Sequence, residues 1–316
     1  MSLINRRKLN KINKATQQSY DTHKQCPYIG EYNEAPQYTL DNKYLLTGYR
    51  INYNTVGLAL KSMFHKHNET CNIWSHLLPL FLFLGLFIYS QIQQIAPLIS
   101  FMKESENHYS DIQLWPLQYC LLCAIILFTI STTYHTFFCV NKTLSCVLLR
   151  LDYGGICLVA SGGVIPVIQY GFYCNQQIKD IYTFMIILLC ILTFISSLFD
   201  YMHKEQFVVY KTLIYVMFFT FIFTPVFHLM MFSRYNLLGG HFHFNDTENY
   251  FLVMLIFLIS GIITYATRFP ERCYPRRFDI FINSHTIWHI FVVLSYSTTY
   301  IMSLNMYTIR ENYKCT

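Results

Sequence analysis

Charge is scarce in this chain: Asp, Glu, Lys and Arg make up 13% of its 316 residues, roughly half the share of about 25% found in soluble domains. That scarcity excludes the one or two soluble domains that the length alone would suggest. Also missing is any Lys/Arg stripe interleaved with aromatic residues on a polar surface, which excludes a nucleic-acid interface. The net charge of +6 therefore bears on membrane orientation instead. Residues 1–72 hold no apolar core of the kind a cleavable signal peptide needs, so the first membrane helix is expected to act as its own insertion signal. No second CxxC accompanies Cys120 and Cys123. Inside a long apolar stretch, that lone pair reads as packing rather than as a metal or redox centre. There is no internal repeat and, outside the polar amino-terminal tail, no low-complexity tract.

What is abundant is apolar length, with 53% of residues hydrophobic and 18% aromatic. Seven stretches approach the roughly 20 residues that a bilayer crossing requires. They run over Ile73–Ser90, Trp115–Val140, Val147–Tyr170, Ile181–Phe199, Leu213–Phe232, Tyr250–Thr267 and Ser284–Ser303. A lipid-exposed backbone must satisfy its own hydrogen bonds, so all seven are expected to be helices. The fold class is all-α: a seven-transmembrane helix bundle, integral and multi-pass, in the plasma membrane or an endomembrane. Residues 1–50 form a polar, basic tail, 51–306 the membrane domain with a juxtamembrane helix, and 307–316 a short outer tail. Within Tyr53–Phe64, a partly amphipathic run either lies along the membrane surface or is an ordinary juxtamembrane helix.

Basic residues set the direction. With these spans, 18 of the 23 Lys and Arg fall on the side of the amino terminus, and only Lys103, Lys179, Arg234, Arg310 and Lys314 on the other. The positive-inside rule makes the amino terminus cytosolic and the carboxy terminus outside or lumenal. Cys174 and Cys315 then share the oxidising side, with room for one disulfide. Of the three Asn-x-Ser/Thr sequons, at Asn68, Asn141 and Asn245, only the last falls on the outer side.

Ionisable residues within spans are costly, by about 2.5–3.5 kcal/mol for a charged one at mid-helix on insertion scales. Four of them fall at one depth: His135 near the inner end of the second span, Asp152 early in the third, and His285 and His289 at the start of the seventh. Residues four apart share a helix face, so His285 and His289 can bind one ion with His135 as the third ligand. Three nitrogens plus an open position is the catalytic form of a zinc site, although Cu, Fe and Ni also accept imidazole. Asp152 is either a direct ligand or the hydrogen-bond partner and base of a water. Ser131, one turn before His135, supports the site from behind. His76 and His228 are expected to be packing residues, with a functional hydrogen bond open for His76. His241 and His243 are expected to be solvated.

The chain resembles the progestin and adipoQ receptors and their hemolysin III relatives. The resemblance rests on LTGYR (46–50), HNETCNIWSHLLP (67–79), STTYHTFFC (131–139), LDYGGI (151–156), GFYC (171–174) and RFPERCYPRRFDIFINSHTIWH (268–289). It covers nearly all of 46–306 and is nearest to the adiponectin receptor branch. It implies a seven-helix bundle with a cytosolic amino terminus and an inner-leaflet zinc ion on His135, His285 and His289. The family's aspartate beside the zinc water falls on Asp152, and the serine of its SxxxH motif on Ser131. Adiponectin receptors are associated with hydrolysis of ceramide to a fatty acid and a sphingoid base, in a lipid cavity between helices. A family arginine that contacts the lipid head aligns with Lys211, which keeps the charge but not the planar fork. Two functions follow: a zinc-dependent lipid amidase, or a non-enzymatic heptahelical receptor with structural zinc. A transporter or channel fits less well, because no broken-helix pair or pore-lining charge series is present. The expected partners are the bilayer and a membrane lipid (ceramide or a relative, with its fatty acid product).

Overall fold

A computed structural model describes residues 26–101, 112–199, 207–234, 245–312 and 315. Among the described residues, eight α-helices follow a short amino-terminal hairpin. Strands β1 (Tyr28–Glu31) and β2 (Thr47–Ile51) pair antiparallel, with Ile29 opposite Arg50 and a bulge between Gly30 and Glu31. The helices are α1 (Val56–Ser62), α2 (Thr70–Phe101), α3 (Trp115–Phe137), α4 (Lys142–Gly171), α5 (Gln176–Ser197), α6 (Val208–Arg234), α7 (Asn245–Thr267) and α8 (Ser284–Asn312). Helices α2 to α8 are the seven expected spans, each long and apolar enough to cross a membrane.

These helices are apolar nearly all round, as membrane spans must be. Large side chains such as Phe81, Phe184 and Ile256 are more than 60% exposed and face outward, where lipid replaces water as solvent. Polar residues mark the ends: Asn141, Asn175 and Asn283 accept from the backbone N–H three residues on, at Leu144, Ile178 and Thr286. Helix α4 is the hub, with 56% of its span buried against 17% for α5 and α7. Its small residues allow close approach. A Cβ on Gly155 would stand 2.8 Å from Leu127 of α3, and one on Gly154 2.7 Å from Phe194 of α5.

Within the expected polar tail over 1–50, the described residues 26–50 hold most of a hairpin that docks on the bundle end formed by the start of α2, the end of α3 and the start of α8. Arg50 is buried and donates to the carbonyls of His135 (2.7 Å) and Thr136 (2.8 Å) and to Ser62 Oγ (3.0 Å). It thus places a cation on carbonyls of the last turn of α3. Gly48, at φ +89°, accepts from the Asn68 N–H at 2.9 Å, where a Cβ would collide with that same nitrogen. Asp279, in the segment between α7 and α8, accepts from Leu46 N, Thr47 N and Thr47 Oγ1 at 2.8–2.9 Å. Glu271 accepts from Asn42 Nδ2 and from the backbone and hydroxyl of Ser284, the first residue of α8.

Helix α1 turns Ala59 and Ser62 inward and leaves Val56 and Leu60 exposed, with Phe64 exposed just beyond its end, the pattern of a helix lying on an apolar surface. At the far end of the bundle Cys174 and Cys315 form a disulfide. Arg310 there donates to the carbonyls of Tyr170 and Gly171 at the end of α4. Cys120 and Cys123 are free and buried, in keeping with packing. His228 receives Tyr182 Oη at 2.7 Å, also a packing role. His241 and His243 lie outside the described residues.

A candidate metal centre at one end of the bundle

Helix α3 ends where α4 and α8 begin, so His135, Asp152, His285 and His289 come to one end of the bundle. His135 and His289 are buried, at 3% and 2% exposure. The ring nitrogens of His135, His285 and His289 include one from each that all lie within 4.8 Å of one another. His135 Nε2 and His285 Nε2 stand 3.2 Å apart. Nitrogens sharing one tetrahedral ion at about 2.0–2.1 Å would stand about 3.3–3.4 Å apart, so the spacing fits.

Protonation is set by what lies behind each ring. Glu69 Oε2 is 2.7 Å from His135 Nδ1 and also accepts from Asn72 Nδ2 at 2.8 Å. Burial on its own would raise the Glu69 carboxyl, but hydrogen bonds from His135 and Asn72 outweigh it and hold it at about 2. An ionised carboxylate only accepts, so His135 carries its proton on Nδ1 and keeps a lone pair on Nε2. His289 Nδ1 faces Ser75 Oγ at 2.9 Å and the Asn72 carbonyl at 3.3 Å. A carbonyl also only accepts, which leaves the His289 Nε2 lone pair free for an ion. The third donor, His285, has a buried Nδ1 with no partner among the described residues. The donor set and its backing fit a divalent ion of the zinc type.

Asp152 is not one of the three convergent donors, and Ser131 lies one turn before His135 on α3. Both line a cavity of about 170 Å³ that also reaches His285 and His289. From there it runs along α4, α6, α7 and α8 past Val164, Phe219 and Met254 to Met302. Its walls are mostly apolar, with Ser295, Tyr296 and Thr299 among them farther along α8. Lys211 lies in the first turn of α6, but its side chain is outside the described residues.

The sequence reading missed the backing residues Glu69, Asn72 and Ser75 and the clamp from Arg50. All four lie in the motifs LTGYR and HNETCNIWSHLLP. An acidic residue at the start of an apolar span was a usable signal; its partner, 66 positions away, was not. Glu69→Gln keeps the shape but removes the charge behind His135. It is expected to weaken divalent-metal binding by roughly 10–100-fold, the usual cost of losing such a partner, in competition titration against a chromophoric chelator.

The haemolysin-III related family profile matches residues 64–300. The chain is 29% identical to the progestin and adipoQ receptor-like protein 1 of Caenorhabditis elegans, over 90% of this chain and 62% of that protein. It is also 29% identical to the adiponectin receptor protein of Drosophila melanogaster, over 91% of this chain and 62% of that protein. With the human progestin and adipoQ receptor family member 3 it shares 30% identity, over 86% of this chain and 85% of the relative. The chain thus spans less than two thirds of the length of the first two.

Proposed function

The chain belongs to the haemolysin-III related family, and from that premise we propose that it is a zinc-dependent intramembrane amidohydrolase acting on a lipid amide such as ceramide. The observation that carries this reading is that His285 and His289 of the three-histidine centre line, together with Asp152, one end of a largely apolar cavity. A long acyl chain fits the apolar length, and the amide then lies against the histidines. His135, His285 and His289 would hold the ion, which when bound supplies Lewis acidity for polarising a carbonyl and acidifying water. The Asp152 carboxylate takes the proton of the attacking water and delivers it to the amine nitrogen as the C–N bond breaks, releasing a fatty acid and an amine. Ser131 holds that carboxylate in place. Lys211, near the start of α6, is assigned to the lipid head or the product carboxylate. The direct test is release of labelled fatty acid from ceramide by purified protein. Turnover that chelator abolishes and zinc restores supports the reading; no release from zinc-replete protein across several sphingolipid amides overturns it.

A second reading, a heptahelical receptor with structural zinc, is favoured by the names of two relatives, which are receptors. It predicts no turnover and a loss of thermal stability on metal removal.

We orient the histidine end and the amino terminus toward the cytosol. The excess of basic residues on that side supports this, as does the disulfide at the opposite end. Asn245, at the start of α7, is then expected to accept glycan in a eukaryotic secretory system, and Asn141, exposed at the start of α4, is not. Asn68 is buried at 3% exposure, so a glycan there would not fit the folded bundle. A mobility shift on glycosidase treatment that maps to Asn141 would reverse the orientation.

A further inference from the structure

The residues that lead into α2 and α8 turn apolar side chains to the outside of the bundle, beside exposed lysines. Phe64, just before α2, is 77% exposed. Its ring meets that of Trp74 edge-on, with centroids 5.9 Å apart, and the Trp74 indole N–H donates to the Met63 carbonyl at 2.9 Å. Just before α8, Phe281 and Ile282 are exposed in turn. Lys66 Nζ lies 5.9 Å from the centre of the Phe281 ring, which joins the two segments into one patch. Ile282 holds φ +55°, a conformation that a β-branched residue adopts only under strain. Glycine or asparagine would sit there at less cost, so an isoleucine with half its surface exposed points to a use for the side chain.

Depth and charge say what covers this patch. Trp74 is on the second turn of α2, and Leu78 and Leu82, four and eight residues on, continue its helix face as exposed side chains. That face looks onto the bilayer, so the patch is the head-level end of a lipid-facing stripe. Residues 53–66 hold Lys61 and Lys66, both exposed, and no Asp or Glu. Residues 280–284 carry no charge. Apolar side chains at the end of a lipid-facing stripe, under ammonium groups of one sign, suit an amphiphile with an anionic head.

We propose that this patch binds an anionic phospholipid of the leaflet at the histidine end. Lys61 and Lys66 take its head group, while Phe64, Phe281 and Ile282 reach below the phosphates. One acyl chain lies along Trp74, Leu78 and Leu82. With the histidine end cytosolic, this is the leaflet that carries the acidic lipids. The site is on the outer face of the bundle and does not rest on the amidase reading.

The test is tryptophan quenching of the full chain in phosphatidylcholine nanodiscs holding a rising fraction of phosphatidylserine, brominated near the head of its acyl chains. Brominated phosphatidylcholine is the reference. One basic residue near an acidic lipid surface corresponds to about fivefold in affinity, so the parent should prefer phosphatidylserine by about fivefold or more. The double variant Lys61→Gln, Lys66→Gln should lose most of that preference. Lys142→Gln, at an exposed lysine of the same bundle end, should keep it. Trp74→Phe preserves a ring against Phe64 and should abolish the extra quenching by phosphatidylserine, since Trp288 lines the cavity and Trp115 starts α3 at the opposite end. The site is overturned if the two lipids quench the parent equally, or if the preference survives the double substitution or falls as far in Lys142→Gln. Extra quenching that persists in Trp74→Phe also overturns it. Should the double variant fail to fold, the parent against Trp74→Phe decides the matter alone.

Discussion

Replacing any one of His135, His285 and His289 with alanine is expected to strip the purified protein of its zinc, weakening binding by more than about 100-fold. The yardstick is the partner behind a ligand, whose loss costs roughly 10–100-fold; losing a ligand outright must cost more. The three nitrogens converge within 4.8 Å, so none of them is redundant. His135→Ala carries a further cost, because it leaves the Glu69 carboxylate buried with Asn72 as its remaining side-chain donor. His135→Ala should therefore lower the thermal midpoint of the chelator-treated protein more than His289→Ala does, since this part of the effect does not pass through the ion. Elemental analysis gives zinc per chain, and thermal unfolding with and without chelator separates the two contributions. Full zinc in all three variants would remove the site.

Asp152→Asn is expected to lower lipid turnover by about 10²–10⁴-fold, the range associated with a positioned proton acceptor, while most of the zinc stays bound. The amide preserves the carboxylate's shape but cannot take a proton from water. Asp152 is not one of the convergent donors, so metal content should stay close to the parent, in contrast to the histidine variants. Fatty acid release and zinc content measured on the same preparations distinguish the roles. Turnover unchanged in Asp152→Asn would rule Asp152 out as the base. Turnover and zinc falling together would make it a ligand instead.

The spans, their number and the meeting of His135, His285 and His289 were legible in the sequence, because each depends on a local rule. Hydropathy over about 20 residues identifies a crossing, and a four-residue interval places His285 and His289 on one face. Alternating crossings then bring the end of α3 and the starts of α4 and α8 to the same end of the bundle. The choice between two roles for Asp152 was open at that level, and in the fold Asp152 is not among the three convergent donors.

Less legible was everything that holds those side chains still. The hairpin over 28–51 reads as a polar tail, because two short strands leave little alternating pattern to detect. Arg50 reads as one more basic residue on the inner side, whereas in the fold it closes the carbonyl end of α3. His76 reads as a lone packing histidine until its ring is found on His289.

The sequence by itself therefore determined the solvent this chain folds in, the seven crossings and the depth of its ionisable residues, since transfer from water to lipid acts residue by residue. Only the tertiary structure decided which nitrogen of His135 and of His289 is backed by a neighbour and which is left for an ion. That depends on Glu69, just before α2, and on Asn72 and Ser75 of α2 reaching rings on α3 and α8, and hydrogen bonds between helices follow packing geometry that no local spacing encodes.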